Sequence, residues 1–171
     1  MARKLSKSSY DYYELCKEWL SQQYDENSTA RNKMHYCKTR LYSFQTLLAE
    51  IQDDGVVLID NYCAKYSSTS KKHTSKLLKA LYDEDIQFYV VKDIYNITTI
   101  EDSVDIVKEY ITKYKRARLD YTRYNWRIQA KGKVEGLKNY IAYLASRKLA
   151  TKEHTKQVTE LFELLFKEKL L

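Results

Sequence analysis

Proline is absent from this sequence, glycine occurs three times and cysteine three times. With no proline and so little glycine, no stretch has the composition of a flexible or polyproline linker. The chain therefore reads as a single domain over 1–171, with an α/β part over about 1–98 and a helical part over about 99–171. Cys16, Cys37 and Cys63 are odd in number and show no metal-ligand spacing. That excludes a secreted disulfide framework and points to a reducing cytoplasm. No uninterrupted apolar run approaches the roughly 20 residues that span a bilayer, so no membrane association is expected. The basic start Met1–Lys7 leads into Ser8-Ser9-Tyr10-Asp11 rather than an apolar stretch, so no secretory signal is expected either.

What the chain does contain is tyrosine, seventeen of them, together with abundant Lys, Asn and Ile. That bias fits an AT-rich coding genome. A 44% hydrophobic content supplies a core, and the formal charge of +7 favours anionic partners. Tyr12, Tyr13, Leu15, Cys16, Trp19 and Leu20 recur at helical spacing, which predicts a helix over about 8–24. Asp25 to Thr29 reads as a loop. Met34, Tyr36, Leu41, Tyr42, Phe44, Leu47, Leu48 and Ile51 fit one or two strands. Gln52-Asp53-Asp54-Gly55 is a hairpin turn, and Val56–Ile59 is the returning strand. A helix begins near Ser67–Ser70 and carries Leu77, Leu78 and Leu81; Ile86–Val91 is a further strand. Three helices follow. Thr99 caps the first (Val104, Val107, Ile111, Tyr114), the second carries Ala130, Val134, Leu137, Ile141 and Leu144, and Thr151 opens the last. Gly132 and Gly136 are spaced for close helix approach. Strands in the middle and helices at the end predict an α+β fold: an N-terminal helix, a small antiparallel sheet with a hairpin and one packed helix, then a C-terminal three-helix region.

The charge is localised. Between Lys108 and Lys133 nine cations face two anions, Glu109 and Asp120, a surplus equal to the net charge of the whole chain. Tyr110, Tyr114, Tyr121, Tyr124 and Trp126 are interleaved with those cations. Lysine and arginine neutralise phosphates, while aromatic faces accept unpaired bases. Lys113, Lys115, Arg116, Arg118, Arg123, Arg127, Lys131 and Lys133 are the candidate phosphate contacts. Tyr121 and Tyr124, which lie off the apolar stripes, are the stacking candidates. Tyr110, Tyr114 and Trp126 continue those stripes and read as core. No zinc-finger, RNP or GXXG pattern accompanies the segment, and an acidic protein surface satisfies the same charge.

A second candidate is the helix start Tyr66-Ser67-Ser68-Thr69-Ser70-Lys71-Lys72-His73. Cations in a first turn oppose the helix dipole, and an anion held by Ser67, Thr69, Lys71, Lys72 and His73 would relieve that arrangement. The solvated alternative leaves the lysines pointing to water. Ser43-Phe44-Gln45-Thr46-Leu47-Leu48-Ala49, the hairpin and this helix start resemble a small phage-encoded family. Its pattern is a Ser-aromatic-x-Thr-x-x-Ala strand, a hairpin and a Tyr-Ser-x-Thr-(Thr/Ser)-x-x-His helix start, matched over about 40–82. The family has no assigned activity, so the resemblance implies phage or mobile-element origin. It also makes Ser67, Thr69 and His73 the shared positions, either as a binding site or as fold determinants, with Thr69 as cap and His73 bonded to the sheet.

Catalysis finds little support. His35, Cys37, Cys63 and His73 lack zinc-ligand spacing. Asp60, Asp83–Asp85 and Asp93 sit near strand ends, but the Glu-x-Lys of a metal-dependent nuclease is missing beside Lys92. No nucleophile elbow or Gly-rich phosphate loop is present. The expected chain is non-enzymatic, without metal or cofactor. It binds nucleic acid (DNA or RNA) in the cytoplasm of a bacterial host, or, as the alternative, is a phage anti-defence inhibitor that docks, in anti-CRISPR fashion, on a host defence protein.

Overall fold

The computed structural model describes residues 11–29 and 32–170. The chain divides into two compact units, Met1–Ile97 and Thr98–Leu171. The first holds helix α1 (Tyr12–Ser21), strands β1 (Glu26–Ser28), β2 (Met34–Cys37), β3 (Arg40–Ser43), β4 (Thr46–Ile51) and β5 (Val57–Asp60), helices α2 (Asn61–Tyr66) and α3 (Ser68–Asp83), and strand β6 (Phe88–Val91). The second is helical: α4 (Glu101–Arg116), α5 (Asp120–Ser146) and α6 (Lys152–Lys167). The class is α+β, with the helix, sheet and helical region in the expected order.

The six strands lie in sequence order, antiparallel from β1 to β5. β6 departs from the expected antiparallel sheet, because it pairs parallel to β5 through the crossover made by α2 and α3. Such a pair needs a long connection, which the two helices provide. The stretch read as one or two strands is three, β2 to β4, and β1 lies within the segment read as a loop. The two hairpins that divide it lack glycine. Lys38 and Phe44 instead take the left-handed conformation, with φ of 52° and 56°. Only the Gly55 turn, at φ 82°, shows the residue that a positive φ ordinarily favours.

One face of the sheet carries Met34, Tyr36, Leu41, Ala49, Val57 and Ile59. Leu15, Cys16 and Trp19 of α1 and Leu77, Ala80 and Leu81 of α3 complete that buried cluster. The Trp19 indole also donates to the Lys38 carbonyl at 3.2 Å, which ties α1 to the β2–β3 turn. α1 is shorter than the 8–24 expected from periodicity. It ends where Gln22 turns left-handed and its N–H bonds the Trp19 carbonyl, and residues 1–10 lie outside the described ones.

In the helical unit the three helices contact one another pairwise. Each buries one stripe: Val104, Val107 and Ile111 on α4, Ala130, Val134 and Leu137 among those on α5, and Val158, Leu161 and Leu165 on α6. Thr151 caps α6 through the His154 N–H, and the His154 ring accepts from the Thr151 N–H in return. The expected Thr99 cap is not used, since α4 starts at Glu101 with Ile100 at the N-cap and no side-chain cap.

At 27 residues, α5 is about 40 Å long. Gly132 and Gly136 do not serve helix packing within it. Both are exposed, and a Cβ built on either meets nothing within 4 Å. Each costs the helix roughly 0.5–1 kcal/mol relative to alanine. Gly132→Ala/Gly136→Ala is therefore expected to raise the urea unfolding free energy by about 1–2 kcal/mol. A lowered stability would show that the glycines accommodate a neighbour.

Candidate nucleic-acid interface

The basic segment folds into the end of α4, the turn Ala117–Leu119 and the first half of α5. The structure divides its cations into two groups. Lys113 pairs with Glu109 at 2.5 Å and lies 4.8 Å over the Trp126 ring. Lys115 pairs with Glu168 at 2.6 Å. Arg123 donates through Nε to the Ala117 carbonyl at 2.8 Å, which closes the α4–α5 turn. Arg127, half-buried, donates through Nε to the Leu170 carbonyl at 2.9 Å. Lys133 is half-buried and engaged as well. Arg116, Arg118 and Lys131, and Lys108 about two turns back on α4, are exposed and enter no ion pair among the described residues.

The aromatics divide in the same way. Tyr110, Tyr114 and Trp126 are half-buried, and the Tyr110 and Trp126 rings lie 5.5 Å apart across the α4–α5 seam. Tyr121 is 76% exposed and Tyr124 60%. Beside them the structure adds two residues that sequence reasoning missed, Leu119 at 70% and Ile128 at 47%. Tyr121, Tyr124 and Ile128 stand at i, i+3 and i+7, so they share one face of α5, away from Ala130, Val134 and Leu137. The available signal was that α5 is apolar on two faces, of which only one can serve a core.

The five residues at the start of α3 are not brought to one surface. Ser67 is the N-cap in place of Thr69, accepting from the Ser70 N–H at 3.0 Å. Lys71 and Lys72 are exposed, whereas His73 is fully buried beneath the helix. His73 Nδ1 lies 2.8 Å from the Ser43 hydroxyl of β3, Ser43 Oγ lies 3.2 Å from Ser70 Oγ, and Ser70 Oγ lies 3.1 Å from Ser67 Oγ. The network joins Ser43 at the end of β3 to Ser67, Ser70 and His73 at the start of α3. Its rings pack closely, with Tyr12 at 4.3 Å and Phe44 at 5.9 Å from His73 between centroids. Although Ser43 and His73 are spaced like a nucleophile and base, both are buried, so no substrate reaches them. His73 Nε2 is buried without a hydrogen-bond partner. With the ring proton on Nδ1, donated to Ser43, the unpartnered atom is a lone pair rather than an N–H, the cheaper arrangement.

Other candidates are engaged in the fold. Asp60 caps α2, accepting from the Cys63 N–H at 2.7 Å. Burial raises its pKa, against the backbone N–H groups of Cys63 and Ile94, which lower it. Asp93 accepts from the Tyr95 N–H at 2.8 Å, Asp83 accepts from the Tyr13 hydroxyl at 2.5 Å, and Glu84 pairs with Lys17 at 2.8 Å. His35 and Cys37 alternate onto the sheet face opposite Met34, whereas Cys63 belongs to the cluster on the Met34 face and His73 bonds Ser43 there. Burial raises the thiol pKa of Cys16, and that of Cys63 to about 11, which leaves both unreactive. Among the described residues no His, Cys, Asp and Glu converge on a metal-sized site, and no helix is long and apolar enough to cross a membrane.

Burial pushes the His73 imidazole down from its ordinary 6.5 to about 4, and Lys33 adds to the shift. Because the folded pKa is depressed, the contribution to stability is complete above about 6.5 and is lost as pH falls through 4. The loss should be roughly 3 kcal/mol, read as a falling urea midpoint that His73→Gln flattens. An NMR titration of the His73 ring in the intact fold checks the same point, and a midpoint near the ordinary value would contradict it. Comparison of the chain with family models, with curated proteins and with solved structures gave no match.

Proposed function

We propose that the chain is a non-enzymatic nucleic-acid-binding protein whose interface is the α4–α5 corner. The observation that carries this reading is the division of the basic segment. Lys113, Lys115, Arg123 and Arg127 are engaged within the helical unit, while Arg116, Arg118 and Lys131 are left facing solvent around exposed Tyr121 and Tyr124. Guanidinium groups free of internal carboxylates are available to phosphate oxygens, which they meet in a planar, two-donor geometry. The setting proposed for this activity is the cytoplasm of a bacterial host, with the chain encoded by a phage or other mobile element.

A second reading is favoured by Leu119 and Ile128. Exposed aliphatic side chains beside arginines also suit a protein surface. A phage inhibitor that docks on a host defence effector would use the same corner.

Fluorescence anisotropy of labelled DNA and RNA oligonucleotides, at low and physiological salt, tests the first reading. With three phosphates neutralised, affinity should fall roughly 20- to 40-fold between 50 and 200 mM salt. Arg116→Glu/Arg118→Glu should abolish binding to every nucleic acid tried. No binding at low salt would overturn the nucleic-acid reading and leave the protein-docking one.

A further inference from the structure

We infer that the α4–α5 corner takes single-stranded rather than duplex nucleic acid, with Tyr121 and Tyr124 each carrying one unpaired base. This inference rests on the nucleic-acid reading above and names the substrate class of the same site.

Tyr121 and Tyr124 stand three residues apart on one helix face, where neighbouring Cβ atoms lie about 5–6 Å apart. Neither contributes to the buried stripe of α5. A duplex offers this surface phosphates and base edges, because its base faces are stacked on one another. Two phenol rings, Leu119 and Ile128 laid against that polyanionic wall would gain little. A single strand offers free base faces, and each face covers a ring that is now in water.

The charge fits the same occupant. Arg116 and Arg118 lie just before the rings in the chain, and Lys131 lies ten residues beyond Tyr121, about 15 Å along α5. The free cations thus stand at both ends of an apolar, aromatic stretch. A strand running along the helix would set phosphates at the two ends and bases over Tyr121, Tyr124 and Ile128. Three free cations beside the rings, with Lys108 about two turns back on α4, make a small electrostatic footprint, so stacking has to supply much of the affinity. A duplex reader that relies on phosphates would need more free cations than this surface has.

The test uses the full chain and four labelled probes of equal length: single-stranded DNA, single-stranded RNA, a DNA duplex, and an abasic single strand that keeps phosphates but lacks base faces. The single strands should bind at least about tenfold more tightly than the duplex or the abasic strand. Tyr121→Ala and Tyr124→Ala should each weaken single-strand binding roughly five- to a hundredfold, and Tyr121→Phe/Tyr124→Phe should restore it. Both rings are exposed, so circular dichroism and thermal unfolding should be unchanged in these variants. Equal affinity for single strand, duplex and abasic strand, all abolished by Arg116→Glu/Arg118→Glu, would overturn the inference while leaving the nucleic-acid reading intact. Binding to none of the probes would overturn both.

Discussion

A neutral imidazole held against a strand hydroxyl fixes α3 on the sheet, and the N-terminal unit is arranged around that contact. His73 reaches across to Ser43 at the last position of β3, just before Phe44 turns left-handed to start β4. Ser70 and Ser67 continue the bond back to the first turn of α3. One chain of four side chains thus ties a hairpin, a helix cap and the crossover from β5 to β6. A buried imidazole with one unpartnered nitrogen is costly, and the cost is held down only if the ring stays uncharged. Removing Ser43 alone would leave the His73 ring buried without a bond, which is worse than never having had the pair, whereas Ser43 without His73 would still keep Ser70.

This contact also explains why two short motifs stand out in the sequence. Ser43 and His73 are thirty residues apart, and nothing in periodicity says that they meet. The structure supplies the bond between them. Elsewhere, the elements legible from sequence were those with helical apolar periods, α1, α3, α4, α5 and α6, together with the Gly55 hairpin and strand β6. The divisions between β2, β3 and β4 were hidden because Lys38 and Phe44 take positive φ without glycine. The parallel pairing of β6 was hidden because burial patterns do not report strand direction. Gly132 and Gly136 misled for a different reason: their spacing resembles a packing motif, but both face solvent.

The basic segment was legible in the sequence, but not which of its side chains face solvent. Counting charge along the chain singled out the segment and took ten residues as one surface. Folding engages half of them. Lys113 and Lys115 meet carboxylates, Arg123 and Arg127 satisfy carbonyls at a turn and at the chain's end, and Lys133 is half-buried. A formal charge does not distinguish a cation that holds two helices together from one that faces water. Tyr121 and Tyr124 already lay off the apolar stripes in the sequence, and the structure adds exposed Leu119 and Ile128 to them.

The most direct measurement of the account is a two-dimensional amide NMR titration of the full chain with a short single-stranded oligonucleotide. The account predicts that shifts concentrate between Arg116 and Lys131, with the amides around His73 and along the sheet unmoved. Shifts centred on Lys71 and Lys72, or none at Tyr121 and Tyr124, would contradict it.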